Sequence, residues 1–167
     1  DVDFGYYPRA AIGSLVWEDV NGNGVQDVGE PGLTNVTVRL YDSGSNLVAT
    51  VQTDTNGVYA FTNLLPGTYY VQAVPPNGYT NTLVQAGEDP SLDSDMNAAG
   101  WSGPVTVISG ETRKDIDSGL YLPALLKGYV FKDSDGDLLR DTGDGTITNT
   151  LVRLVVDGEV IASTYTD

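Results

Sequence analysis

The sequence predicts an all-β chain, a two-sheet β-sandwich built in tandem repeats. Three observations carry that prediction. Short runs rich in Val, Tyr, Thr and Leu are separated by Gly, Asn, Asp and Pro turns. No segment carries the 3.6-residue apolar stripe of an amphipathic helix. The chain also repeats itself at a fixed interval.

Taken in order, strands are expected at 13–17, 36–41, 47–53, 58–61, 69–74, 105–108 and 116–121. In Thr37-Val38-Arg39-Leu40-Tyr41 apolar and polar residues alternate, as in a strand with one buried face. The run 47–53 follows across the polar turn 42–46, and 58–61 follows the Asn56-Gly57 turn signal. Tyr69-Tyr70-Val71-Gln72-Ala73-Val74 opens after Pro66-Gly67. About seven short strands in one repeat suit a sandwich.

The repeat has an offset of 114 residues: Asp1-Val2-Asp3-Phe4-Gly5-Tyr6-Tyr7 returns as Asp115-Ile116-Asp117-Ser118-Gly119-Leu120-Tyr121. In the same register Trp17 meets Phe131, Asp19 meets Asp133, Asp27 meets Asp141, and Val38-Arg39-Leu40 meets Val152-Arg153-Leu154. One deletion in the 42–46 turn then brings Thr53-Asp54 onto Thr166-Asp167. The expected organisation follows from this register. Residues 1–8 are the last strand of a preceding repeat, 11–122 one complete repeat, and 124–167 the N-terminal part of a following one. The linkers Pro8-Arg9-Ala10 and Leu122-Pro123-Ala124 are short and contain Pro, which predicts restricted rotation between repeats.

Composition narrows the chemistry. With 8 Lys+Arg against 23 Asp+Glu the net charge is −15, the opposite of the basic footprint that nucleic acid requires. There is no Cys and no His, which excludes a disulfide framework, a thiolate zinc centre and a Ser-His-Asp triad. No apolar run is long enough to span a membrane as a helix. Oxygen ligands are the metal chemistry the chain readily offers, and most of its acids cluster in a few loops.

The first of these loops is Asp19-Val20-Asn21-Gly22-Asn23-Gly24-Val25-Gln26-Asp27-Val28-Gly29-Glu30. It matches the twelve-residue calcium-loop pattern at every liganding position: Asp19, Asn21, Asn23, the Val25 carbonyl, Asp27 and the closing Glu30, with Gly24 at the sharp turn. Spacing ligands every second residue lets the winding backbone aim short side-chain oxygens at one centre, and Ca²⁺ accepts about six to eight of them. The flanks read as strands, not the helices of an EF-hand. A second loop lies at the same offset, with Asp133, Asp135, Asp137, the Leu139 carbonyl, Asp141 and Asp144. It departs from the pattern at Leu138, which replaces the turn glycine, and at Asp144, one methylene shorter than Glu.

A third acidic cluster offers Asp89, Asp93, Asp95 and Asn97. Asp115 and Asp117, two residues apart in an expected strand, should face one side, and a cation bridging the 89–97 loop to Asp115 or Asp117 would pin that loop to the sandwich. A polar surface loop is the alternative at this position. Paired carboxylates also raise acid–base catalysis, but acids in Gly- and Asn-rich turns favour solvent or metal over an apolar cleft, so no enzyme is expected. Most aromatics alternate along strands, as packing residues do. Trp101, in the loop Gly100-Trp101-Ser102-Gly103, stands apart as a candidate ligand-binding residue.

Several of these motifs together resemble the calcium-binding SdrD-type B repeats of bacterial surface adhesins, relatives of the Ig-like Cna-B sandwich domains. The resemblance rests on residues 12–19 running into the calcium loop, Glu30-Pro31-Gly32, residues 53–61 and 64–71, Asp93-Ser94-Asp95, and residues 115–121. It implies a non-enzymatic, calcium-stabilised repeat forming a semi-rigid stalk or filament segment at the bacterial cell surface or in the extracellular space. The implied partners are neighbouring repeats of the same chain, with lateral or head-to-tail self-assembly as a further expectation; nucleic acid and a membrane span are not implied. The alternative is an adhesive module that reads a carbohydrate or protein through loop residues around Trp101.

Overall fold

The computed structural model describes residue 3 and residues 5–167. Two compact units divide the chain, Asp1–Pro123 and Ala124–Asp167. No helix occurs among the described residues.

In the first unit two sheets face each other. One has the order β4-β1-β9-β6, with β8 also on β1; the other has the order β3-β2-β5-β7. The strands are β1 (Ala10–Glu18), β2 (Thr37–Asp42), β3 (Leu47–Gln52), β4 (Val58–Leu64), β5 (Gly67–Val74), β6 (Thr80–Asn81), β7 (Val105–Val107), β8 (Thr112–Arg113) and β9 (Ser118–Tyr121). Alternation decides what each strand buries. Val38 and Leu40 of β2 and Tyr69, Val71 and Ala73 of β5 point inward, while Arg39, Tyr41, Tyr70 and Gln72 do not. From the other sheet come Ile12 and Val16 of β1, Tyr59 and Phe61 of β4, and Leu120 of β9. Met96 closes the core from the long loop before β7. The Tyr59 hydroxyl, wholly enclosed, donates to the Ile116 carbonyl at 2.6 Å, so its polar tip is satisfied inside an apolar interior.

Strand β1 is the hub. Its first part pairs antiparallel with β4 and its end, Val16 to Glu18, runs parallel to β9. The seven expected strands all occur, with shifted ends. The sequence did not reveal β6 and β8, because two residues are too few to carry a period. The 116–121 strand starts only at Ser118: the Leu15 N–H donates to the Asp117 side chain, a bond a continued ladder would give to backbone. The strand expected over 1–8 falls partly on Asp1, Val2 and Phe4, outside the described residues; residue 3 and residues 5–9 have no strand pairing.

The second unit contains β10 (Phe131–Lys132), β11 (Gly145–Thr146), β12 (Leu151–Val156) and β13 (Glu159–Tyr165). The β12–β13 hairpin turns on Asp157-Gly158, both at positive φ (50° and 88°), the pairing a two-residue primed turn demands. Val152 and Leu154, counterparts of the enclosed Val38 and Leu40, are each 40% exposed. Among the described residues, no strand of this unit corresponds to β5.

One close approach ties the loop after β1 to the sheet. Segment 31–33 bridges to β1 at Trp17–Gly32, and the turn at 54–57 returns its Gly57 carbonyl to the Val16 N–H at 2.8 Å. Gly32 and Gly57 meet there: a Cβ on Gly32 would overlap the Asn56 carbonyl, and Gly57 has φ +82°. Gly32→Ala should therefore cost roughly 1–3 kcal/mol, the usual penalty for forced overpacking. Gly103→Ala, where an added Cβ meets open space, should stay within about 0.5 kcal/mol. Urea denaturation of the two variants checks the contrast.

Candidate metal centres

The 19–30 loop leaves β1 with its first ligand already fixed. Asp19 is fully buried, and its own N–H donates to Leu120 of β9 at 2.9 Å. Its carboxylate organises the turn: Oδ1 accepts from the Gly22 N–H (2.7 Å) and the Asn23 N–H (3.2 Å), and Oδ2 from the Gly24 N–H (2.8 Å). The Thr82 hydroxyl also donates to Oδ2. Asn21 Oδ1 accepts from the Asn23 N–H, and Asn23 Oδ1 from the Val25 N–H. Glu30 closes the loop, taking the Val20 N–H on Oε1 at 2.8 Å and the Asp27 N–H on Oε2 at 3.0 Å. Asp27 Oδ2 receives both asparagine amides, at 2.7 and 2.9 Å. The side chains of Asp19, Asn21, Asn23, Asp27 and Glu30 are thus all engaged in the loop's own hydrogen-bond network, with Gly24 at φ +80°.

The loop at 133–144 repeats six of these backbone-amide-to-oxygen bonds. Asp133 accepts from the Gly136 and Leu138 N–H groups, Asp135 from Asp137, Asp137 from Leu139, and Asp144 from both Ser134 and Asp141. Asp144 reaches both amides despite its shorter side chain, at 3.0 and 3.3 Å. Carboxylate oxygens of Asp133, Asp135 and Asp137 lie within 4.8 Å of one another. Leu138 holds the glycine's left-handed geometry, φ +67°, which an L-residue adopts only under strain. The Leu138 and Gly136 backbone amides hold the Asp133 carboxyl below the usual range.

The third cluster separates into working and spent residues. Asp89 caps the N–H and hydroxyl of Ser91, and Asn97 Oδ1 caps the N–H groups of Ala99 and Trp101. Asp115 turns to Arg113 in a two-point ion pair, 2.6 and 2.7 Å, which lowers its carboxyl's pKa. It does not share a face with Asp117, because the chain is not yet in the strand there. Asp95 and Asp117 do meet: the Asp117 N–H donates to Asp95 Oδ2 at 2.8 Å and the Asp95 N–H to the Asp117 carbonyl at 2.9 Å. Asp93 is buried close by. Burial pushes Asp95 up to about 7 and Asp117 up to about 6, with the neighbouring acids adding to the effect. Asp117 Oδ2 is buried with no hydrogen-bond partner among the described residues.

Backbone contacts zip the first loop to the third cluster. Val25 bridges Asp93, the Gln26 N–H donates to Leu92, and the Ser94 N–H donates to Gly24. Thr82, Ser94 and these contacts were invisible in the sequence, since nothing local marks a hydroxyl whose partner is 63 residues away. Trp101 lies elsewhere, against Tyr41 with ring centroids 4.8 Å apart.

The SdrD B-like domain family matches residues 10–120. Among curated proteins, serine-aspartate repeat-containing protein D of Staphylococcus aureus strain MW2 is 42% identical over 99% of this chain, and that of strain Newman 40%. Serine-aspartate repeat-containing protein F of Staphylococcus epidermidis strain ATCC 12228 is 38% identical over 99%. The chain spans 12% of the two D proteins and 10% of the F protein. Among solved structures, the minor pilin GBS52 of Streptococcus agalactiae aligns over 73% of this chain and 48% of its own, at 15% identity and TM-score 0.47. The Bacillus anthracis TIE protein aligns over 96% and 25%, at 17% identity and TM-score 0.47.

The Asp95–Asp117 pair generates a pH prediction for chelated protein. Both carboxyls titrate above the ordinary 3.8 when folded, so the folded chain holds protons that the unfolded chain releases between about pH 4 and 7. Stability should fall as pH rises through that window. In EDTA the melting temperature should drop between pH 5 and pH 8, and Asp95→Asn with Asp117→Asn should flatten the profile.

Proposed function

The chain belongs to the SdrD B-like domain family, and we propose that it works as a non-enzymatic structural repeat whose folded state Ca²⁺ stabilises. The observation that carries this reading is the duplicated scaffold. Two twelve-residue loops, 114 residues apart, carry the same pattern of candidate ligands and share six backbone-amide-to-oxygen bonds. Each presents only oxygen donors, the set that suits a hard cation.

In the first loop the metal would be held by Asp19, Asn21, Asn23, the Val25 carbonyl, Asp27 and Glu30. In the second it would be held by Asp133, Asp135, Asp137, the Leu139 carbonyl, Asp141 and Asp144. A further cation would sit beside Asp95 and Asp117, with Asp93 near, where a buried Asp117 carboxylate oxygen lacks a partner among the described residues and burial disfavours the charged form without a counter-ion. Asp89, Asn97 and Asp115 play supporting parts there, shaping turns or pairing with Arg113.

The proposed setting is a stalk or filament segment of an extracellular, bacterial cell-surface protein, flanked by sibling repeats, where calcium is abundant enough for sites of modest affinity. The chain is acidic, and each bound Ca²⁺ would relieve self-repulsion in the compact state. Catalysis is no part of this role, because the loop carboxylates are occupied by backbone amides and line no apolar cleft.

Calcium titration followed by calorimetry tests the proposal. At a free concentration one hundred times the dissociation constant, binding to the folded state alone adds about 2.7 kcal/mol. Calcium should also remove the pH slope expected in EDTA. An unchanged melting curve with and without EDTA would sink the reading, as would a chain with Asp19→Ala and Glu30→Ala that gains as much from calcium as the parent. In the second loop, Leu138→Gly should relieve about 1 kcal/mol of left-handed strain. Its effect should be read as severalfold tighter calcium binding there.

A further inference from the structure

The outward face of the second sheet carries an aromatic cleft that calcium binding does not use. Alternation along β2 sends Arg39 and Tyr41 outward, and along β5 Tyr70 and Gln72. Register then sets Tyr41 opposite Tyr70 and Arg39 opposite Gln72. Trp101 is added from the 97–102 loop by a bridge to Gln72. That loop is firmly held. Asn97 Oδ1 caps the Trp101 N–H, the Ala73 N–H donates to Gly100 at 2.9 Å, and the Ser102 hydroxyl accepts the Val71 N–H at 2.9 Å. The tryptophan ring is therefore fixed before any ligand arrives, which lowers the ordering cost of binding.

Tyr41 and Trp101 stand tilted by 46° with centroids 4.8 Å apart, making an angled wall. With Tyr70, Asp42 and Ser45 they line a cleft of about 250 Å³, just below the roughly 300 Å³ at which drug-sized pockets begin. Such a space suits a single ring. Its polar rim has both signs of charge and both kinds of hydrogen-bonding group. Asp42 sits at one side, its carboxylate turned toward Gly44 and Asn46. Arg39, outside the lining, neighbours Tyr41 on the same face and shares Gln72 Oε1 with the Tyr41 hydroxyl, at 3.4 and 3.3 Å. Among the described residues, no hydrogen bond engages the Trp101 indole N–H or the Tyr70 hydroxyl.

Flanking charges of opposite sign favour no ion of either sign. Aromatic faces beside mixed donors and acceptors match a neutral ligand that has an apolar face and a polar edge. We propose that this cleft binds one pyranose ring of a neutral glycan, its C–H face on Trp101 and Tyr41 and its hydroxyls on Tyr70 and Ser45.

The chain offers a built-in reporter, because it contains two tryptophans, Trp17 and Trp101, and Trp17 is fully buried. In calcium, the ¹⁵N-labelled chain is titrated with methyl β-D-glucopyranoside, methyl β-D-galactopyranoside and N-acetylglucosamine, with tetramethylammonium as the cationic comparison. The expected result is a saturable shift of the Trp101 indole resonance by at least one sugar, with the Trp17 resonance unmoved. Trp101→Ala should weaken that sugar at least roughly tenfold, as loss of a principal stacking surface implies, while the calcium-dependent melting gain is retained. If Trp101→Ala fails to fold, Tyr70→Ala serves in its place, judged by the Trp101 indole shift. No saturable shift with any sugar overturns the proposal. So does a response to tetramethylammonium alone, or unchanged sugar binding in the variants.

Discussion

The buried carboxylate of Asp19 is the constraint on which the first unit depends. It sits where β1 ends, with its backbone already committed to β9, and has no access to water. A group so placed must have its lone pairs satisfied by the protein or by a cation. Three loop amides and Thr82 crowd onto it, so the path of residues 20–24 follows from one side chain. That path in turn presents Gly24, Val25 and Gln26 to residues 92–94. The acidic cluster behind those residues is therefore positioned by the first loop.

This arrangement makes the two candidate cation sites of the first unit parts of one construction. The ladder joining them is backbone, with no side chain to flex: Val25 bridges Asp93, two residues before the Asp95 that receives the Asp117 N–H. A cation in the first loop would stiffen the ladder that shapes the second site, and ordering paid for once need not be paid for twice. The second unit repeats the loop but takes its turn through Leu138 in a left-handed conformation. Its scaffold is the same, held at greater conformational cost.

What could be read from the sequence was whatever is local. The alternation of β2 and β5 is a two-residue period seen in their burial, and the two acidic loops are twelve-residue patterns whose leading aspartates cap loop amides in the structure. Contacts across long separations were not legible. Thr82 reaches Asp19, and Leu15 draws Asp117 inward while Arg113 holds Asp115 outside. Identical spacing in the sequence thus gave two aspartates opposite environments. Asn97 fits a ligand pattern, yet its side chain serves the turn that presents Trp101. Short side-chain oxygens cap turns and bind cations by the same geometry, and only the surrounding chain distinguishes the two.

The parallel pairing of β1 with β9 has a mechanical consequence. These are the first and last strands of the unit, lying side by side and running the same way. The chain therefore enters the sandwich at one end and leaves it at the other. Tension applied between Ala10 and Tyr121 pulls the two strands lengthwise past each other, so their hydrogen bonds are strained together and cannot be opened one at a time. The metal loop begins directly where β1 ends, beside that seam. Whatever fixes Asp19 also fixes the grip of one strand on the other, so a cation held by that loop would raise the unit's resistance to stretching.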